Sequence, residues 1–175
     1  DIVAIDMDSN AYHLTQYNIT QNNTTTIHAQ HIELNDFVKK SSPKYDVIVS
    51  NPPFFHEGFK SIKQRNQLAK YTDSLSFEDL IAGVDSLLDS EGIFYVVIPT
   101  DRIGEILLIA SRHHLYLVAR RTIVPRRGMN SNRELLKFSR KQEDTKHDML
   151  YIRNEDNQYS NQYIAMTRAF YTIFD

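Results

Sequence analysis

The residues with chemistry in them are Asn51-Pro52-Pro53-Phe54, set directly after the run Tyr45-Asp46-Val47-Ile48-Val49-Ser50. An exocyclic amine is a poor nucleophile, because its lone pair is delocalised into the ring that carries it. The Asn51 side-chain oxygen and the Pro52 carbonyl would each accept one amino hydrogen, leaving the lone pair aimed at an electrophilic carbon. The Pro-Pro backbone would fix that carbonyl, so that catalysis comes from positioning and preorganised dipoles. Phe54 offers a flat face for a stacked base, a contact worth roughly 1–3 kcal/mol. Neither a metal nor a covalent nucleophile is called for. The competing reading is an ordinary strand stopped by a proline turn.

Positioning this group is the work of the strand before it. The β-branched run at 47–49 predicts a strand buried on both faces. Neither proline can donate to a ladder, so the strand ends there. Asn51 is thereby held at a strand's carboxyl end, where open α/β sheets bind their ligands. Upstream, residues 1–6 read as a strand ending in the carboxylate of Asp6. Asp8-Ser9-Asn10 offers N-caps for a helix to about Tyr17. Residues 24–32 read as a polar turn feeding another strand, with Glu33 just beyond it. His28 and His31 lack partners for a metal site and read as strand surface.

Downstream, 76–88 has helical spacing, with Ser76 and Asp79 forming a near capping box. Glu91-Gly92 turns the chain into a buried strand at 93–98, closed by Pro99. Asp101 is expected to cap a helix reaching about Arg112. Strands at 116–124 and 134–139 are joined by the arginine-bearing segment 125–130. A charged linker at 141–148, a short edge strand at 149–153 and a final helix at 160–174 complete the pattern. Tyr163, Met166, Phe170 and Phe174 share one face of that last helix and are expected to pack into the core. Alternating strands and helices of this kind predict an α/β fold with a mostly parallel sheet.

Composition narrows the classes. The chain has 175 residues, 41% hydrophobic and 24% charged, enough for one domain with a real core. The absence of cysteine excludes disulfides, thiolate metal sites and cysteine nucleophiles. No apolar stretch reaches membrane-spanning length and no signal-peptide pattern opens the chain, which predicts a cytoplasmic protein. The net charge of −2 hides an asymmetry. Residues 1–59 hold seven acids against three lysines. Arg112, Arg120, Arg121, Arg126, Arg127 and Arg133, by contrast, lie in a stretch with no acid between Glu105 and Glu134. Lys60, Lys63, Arg65 and Lys70 follow the Asn-Pro-Pro group with no acid beyond Glu57. A polyanion is the natural partner for such stretches, the alternative being solvated basic surface.

Asn51-Pro52-Pro53-Phe54 resembles the Asn-Pro-Pro-Tyr/Phe signature of class I S-adenosylmethionine-dependent N-methyltransferases. The longer string 46–55, with Gly58 after it, resembles the bacterial tRNA1(Val) adenine-N6 methyltransferases. Ala69-Lys70-Tyr71-Thr72, Asp156-Asn157-Gln158-Tyr159-Ser160 and Ala169-Phe170-Tyr171 extend the likeness over nearly the whole chain. The resemblance implies a Rossmann-like sheet whose last strand is antiparallel, S-adenosylmethionine as cofactor, and tRNA as partner. It gives Asn51, Pro52, Pro53 and Phe54 the catalytic role and places Asp6, Glu33 and Asn51 around the cofactor. Asp6 would meet the ribose, and Glu33 stands where the family usually has Asp. Lys60, Lys63, Arg65, Lys70, Arg126 and Arg127 would contact RNA. The family's first strand, helix and glycine-rich loop would lie before Asp1, so 1–175 is expected to be one N-terminally incomplete domain. The rival functions are a DNA-adenine or protein-glutamine methyltransferase and a silent RNA-binding module.

Overall fold

The computed structural model describes residues 1–40, 43–52 and 75–174. In chain order the elements are β1 (Ile2–Asp6), α1 (Ser9–Gln21), β2 (Ile27–His31), α2 (Leu34–Lys40) and β3 (Tyr45–Ser50). There follow α3 (Phe77–Leu87), β4 (Leu88–Pro99), a 3-10 turn (Thr100–Arg102) and α4 (Ile103–Arg112). Then come β5 (Tyr116–Arg126), β6 (Arg133–Ser139), β7 (Lys146–Arg153), α5 (Asn161–Thr167) and a 3-10 turn (Thr172–Phe174).

β1 and β2 form a parallel pair, and the other strands form a five-stranded sheet in the order β3-β4-β6-β5-β7. β3 with β4 and β5 with β7 are parallel, while β6 runs antiparallel to both of its neighbours. The antiparallel strand is therefore an inner one, and β7 extends the sheet past the β5–β6 hairpin.

The core lies between this sheet and the helices α3 and α4. In α3, Phe77, Leu80, Ile81, Val84 and Leu87 recur at helical spacing and are all buried. Phe77, Leu80, Ile81 and Val84 share a core cluster with Ile106, Ile109 and Ala110 of α4, Phe94, Val96 and Ile98 of β4, and Leu136 and Phe138 of β6. Ser76 caps α3: its hydroxyl oxygen accepts from the Asp79 N–H at 3.0 Å. Gly83 lets α2 close on this helix, since a Cβ there would lie 2.8 Å from the Leu34 side chain.

Several elements differ from the sequence expectation. β3 is covered on one face only, with Ile48 packed against the core while Val47 and Val49 are 55% and 74% exposed. β4 begins at Leu88 rather than after Glu91-Gly92, because Tyr45 pairs with Leu88 and the register then slips so that Val47 meets Ile93. Gly92 makes that slip possible: a Cβ there would lie 2.9 Å from the Tyr45 carbonyl oxygen. Asp101 makes no cap, since neither the 3-10 turn nor α4 has a side-chain cap bond.

The last helix stops at Thr167 because the chain folds back on itself. Phe174 packs edge-on against Tyr159 and Tyr163, at centroid distances of 5.1 and 6.3 Å. Phe170, expected in the core, is 82% exposed, and Met166 is 43% exposed.

Gly92→Ala should lower stability by about 1–3 kcal/mol, because a Cβ would press on the buried Leu88 side chain and on the Tyr45 carbonyl, which is backbone and cannot move aside. Gly104→Ala, in open space on α4, should instead raise it by about 0.5–1 kcal/mol. Urea denaturation of the two variants checks both signs.

Candidate functional site

Every sequence-predicted site residue among the described ones lies at the carboxyl end of a strand. Asp6 closes β1 and stands level with His31 at the end of β2. Its Oδ1 accepts from the Asp8 N–H at 2.8 Å, which tightens the turn out of the strand. Asp8 in turn caps α1, its Oδ1 accepting from the N–H groups of Asn10 at 2.7 Å and Ala11 at 3.0 Å. α1 runs past the expected Tyr17 to Gln21, and Asn22 closes it by donating from its backbone N–H and its side-chain amide to the Asn18 carbonyl.

His31 ties the two strand ends together by donating from Nε2 to the Met7 carbonyl at 3.0 Å. It also stacks on Tyr12, with ring centroids 5.6 Å apart. Glu33 follows directly, exposed, with its carbonyl accepting from the Phe37 N–H at 2.9 Å at the start of α2. Two exposed carboxylates thus sit at adjacent strand ends. Among the described residues, the second oxygen of Asp6 meets no donor.

Asn51 follows β3, on the five-stranded sheet. Its neighbour Ser50 pairs with Val96 of β4. Asn51 is exposed while Pro52 is buried, so the proline is clamped and the amide side chain faces outward. No hydrogen bond joins the Asn51 side chain to another described residue. The structure brings Asp6 and Glu33 together on one sheet and Asn51 onto the other. Pro53, Phe54, Lys60, Lys63, Arg65 and Lys70 lie outside the described residues.

The arginine stretch divides. The Arg126-Arg127-Gly128-Met129 turn leaves β5 at the same sheet end as Asn51. Met129 N–H donates to the Arg126 carbonyl at 2.9 Å, and Gly128 takes the left-handed φ of 88° that this turn needs. Arg126 is exposed, and the Arg127 guanidinium lies 4.4 Å over the Tyr151 ring.

Arg120 and Arg121 are not part of an open patch. Arg120 grips the fully buried Glu134 with two bonds of 3.0 Å. The Thr122 hydroxyl donates to the same carboxylate at 2.9 Å and is itself met by His147 Nε2 at 3.0 Å. Arg121 pairs with Asp148 across β5 and β7, and its hydrogen bonds hold that carboxyl below the usual carboxylate range. Sequence reasoning also missed Arg153, whose guanidinium lies 3.9 Å over Tyr159 and donates to the Asn157 carbonyl at 2.6 Å. Its signal was an arginine closing an apolar strand beside a turn.

The architecture is that of class I methyltransferases. Among solved structures, a predicted O-methyltransferase from Agrobacterium tumefaciens superposes with a TM-score of 0.69 at 13% identity, over 95% of this chain and 76% of the other. A TehB-like SAM-dependent methyltransferase from Corynebacterium glutamicum gives 0.53 at 17% identity, over 81% and 68%.

Sequence relatives are more specific than the fold. Residues 1–123 match the methyltransferase small domain family. The tRNA1(Val) (adenine(37)-N6)-methyltransferase of Flavobacterium psychrophilum is 32% identical over 97% of this chain and 73% of its own length. The chain belongs to the family of these methyltransferases.

Glu134→Ala should lower stability by about 2 kcal/mol, the partly exposed Arg120 keeping some hydration while Thr122 loses its acceptor. Thermal or urea unfolding checks this. An effect within about 0.5 kcal/mol would mean that the buried carboxylate holds nothing in place.

Proposed function

We propose that this chain methylates the N6 amine of adenine in tRNA, at position 37 beside the anticodon, as the names of its relatives state for them. The observation that carries this reading is Asn51 at the open carboxyl end of β3, exposed, on a buried proline and with its amide uncommitted.

The cofactor of this chemistry, S-adenosylmethionine, supplies an electrophilic methyl group when bound. Its ribose diol and adenine amine are hydrogen-bond donors, and acceptors are what Asp6 and Glu33 present at neighbouring strand ends. The donor sets fit. The residues assigned to hold it are Asp6 at the ribose and Glu33 at the adenine, with Asn51 between cofactor and substrate.

On the substrate side, the Asn51 side-chain oxygen and the Pro52 carbonyl accept the two amino hydrogens. That orients the lone pair in line for attack and lets the nitrogen become tetrahedral as the new bond forms. Pro53 stiffens the carbonyl and Phe54 stacks the base. A loop adenine is cheap to extract because its stacking is partial, which suits a site that takes the base one at a time. Such an enzyme works where tRNA is, in the cytoplasm.

Incubation of the full-length protein with labelled S-adenosylmethionine and total tRNA should yield N6-methyladenosine on nucleoside analysis. Label in DNA or protein instead would overturn the substrate. Asn51→Ala should reduce turnover by at least about 100-fold, while cofactor affinity by calorimetry stays close to wild type. Parallel loss of both would remove Asn51 from the amine-orienting role.

A further inference from the structure

The arginines of this chain fall into two sets. Arg102, Arg120, Arg121 and Arg140 each meet a carboxylate, of Glu105, Glu134, Asp148 and Asp85 respectively. The other described arginines meet none among the described residues: Arg112 ends α4, Arg133 opens β6 and Arg168 follows α5, whereas Arg126, Arg127 and Arg153 gather at the carboxyl end of β5 and β7. Glu155 and Asp156 stand in the adjoining turn yet form no ion pair with these arginines; the Asp156 carboxylate accepts instead from the Gln158 N–H at 3.1 Å.

The last three are also crowded. Arg126 pairs directly with Arg153 across the parallel β5–β7 ladder, and the Arg127 N–H donates to the Arg153 carbonyl at 2.9 Å. Like charges side by side on a sheet are destabilising. They are held here by neutral contacts, the Tyr151 and Tyr159 rings and the Asn157 carbonyl. Stacking on tyrosine restrains a guanidinium without cancelling its charge. The Tyr159 ring is backed in turn by Tyr163, stacked at 5.5 Å, and by Phe174. An uncancelled, preorganised cationic cluster is an anion site.

Its place in the fold says which anion. β5 is three strand spacings from β3, about 14 Å across the sheet, and β7 one spacing further; Ser50 stands level with Arg120, so Arg126 also lies six residues, about 20 Å, further along the strand direction. Both end on the same side as Asn51. That separation is too large for the target base and suits the backbone of the strand flanking it. We propose that the ends of β5 and β7 form a surface gripping RNA phosphates several nucleotides away from the target base. Arg126 and Arg153 are its charged contacts, and Tyr151 and Tyr159 hold Arg127 and Arg153 in register. This rests on the tRNA reading above and adds Arg153, with the aromatic cluster behind it, to the substrate interface.

The test is tRNA affinity of the full-length protein by fluorescence anisotropy across a salt series. Arg153→Gln and Arg126→Gln should each weaken binding and each flatten the plot of log K against log salt by about one. Lys39→Gln removes the same charge from α2, where Lys39 pairs with Asp36, and should leave the slope unchanged. Arg126 is exposed with no side-chain partner among the described residues, so its variant keeps the question open to measurement if Arg153→Gln unfolds. A wild type that methylates tRNA, with both arginine variants keeping its slope, overturns the surface and leaves the activity standing. Equal loss in all three variants also overturns it, since net charge would then be the cause. A wild type that neither binds nor methylates tRNA removes the substrate reading first and the surface with it.

Discussion

The bidentate bond between Arg120 and the buried Glu134 is the constraint on which much of the site depends. A fully buried carboxylate is costly unless its oxygens are met, and here Arg120 and Thr122 meet them from the neighbouring strand. The bonds fix β5 against β6 just before the hairpin between them turns. That decides where the Arg126-Arg127 turn emerges, and hence where β7 ends. Breaking the pair would loosen the hairpin at the point where its register matters most. The interaction also takes one arginine out of solution, so that positive charge is concentrated at one end of the sheet.

The site is assembled from two strand groups by one repeated device. Each group brings a parallel strand to its carboxyl end and stops it with a residue that cannot continue it. For β1 the stop is the Asp6–Asp8 turn, locked by side-chain bonds; for β3 it is Pro52. The first leaves two carboxylates facing outward, suited to hydroxyl and amine donors. The second leaves the Asn51 amide exposed beside a buried proline. Gly83 lets α2 pack against α3, so the acidic end of β2 is carried on the same helix layer that backs β4.

Much of this was legible in the sequence where local chemistry and tertiary packing agree. The Ser76 cap and the apolar period of α3 both survive, as do the strand ending at Asn51 and the hairpin with its arginine turn. What was not legible depended on partners distant in sequence. Nothing near Arg120 announces that Glu134 will be buried opposite it, so a run of arginines reads as a patch when two of its members are internal struts. Leu88 joins a strand because Tyr45 pairs with it, which no window around Glu91-Gly92 reveals. The final helix ends early because Phe174 finds Tyr159 and Tyr163, a preference of ring packing over helical period. Asp101 has the right residue type for a cap, but the first turn there is 3-10 and its orphan N–H groups are not presented to the carboxylate.

The half-covered β3 carries a further consequence. Among the described residues this strand is hydrogen-bonded on one side only, to β4, and it holds two valines out to solvent. A strand with a free ladder and apolar side chains is a template for any other strand that meets it. It has no lysine or proline within the strand to discourage pairing, because the prolines come only after Ser50, and the irregularity in its ladder lies between Tyr45 and Val47. The strand that aims Asn51 therefore offers a free ladder and two valines to a further strand, and pairing there would fix the level at which the amide is presented.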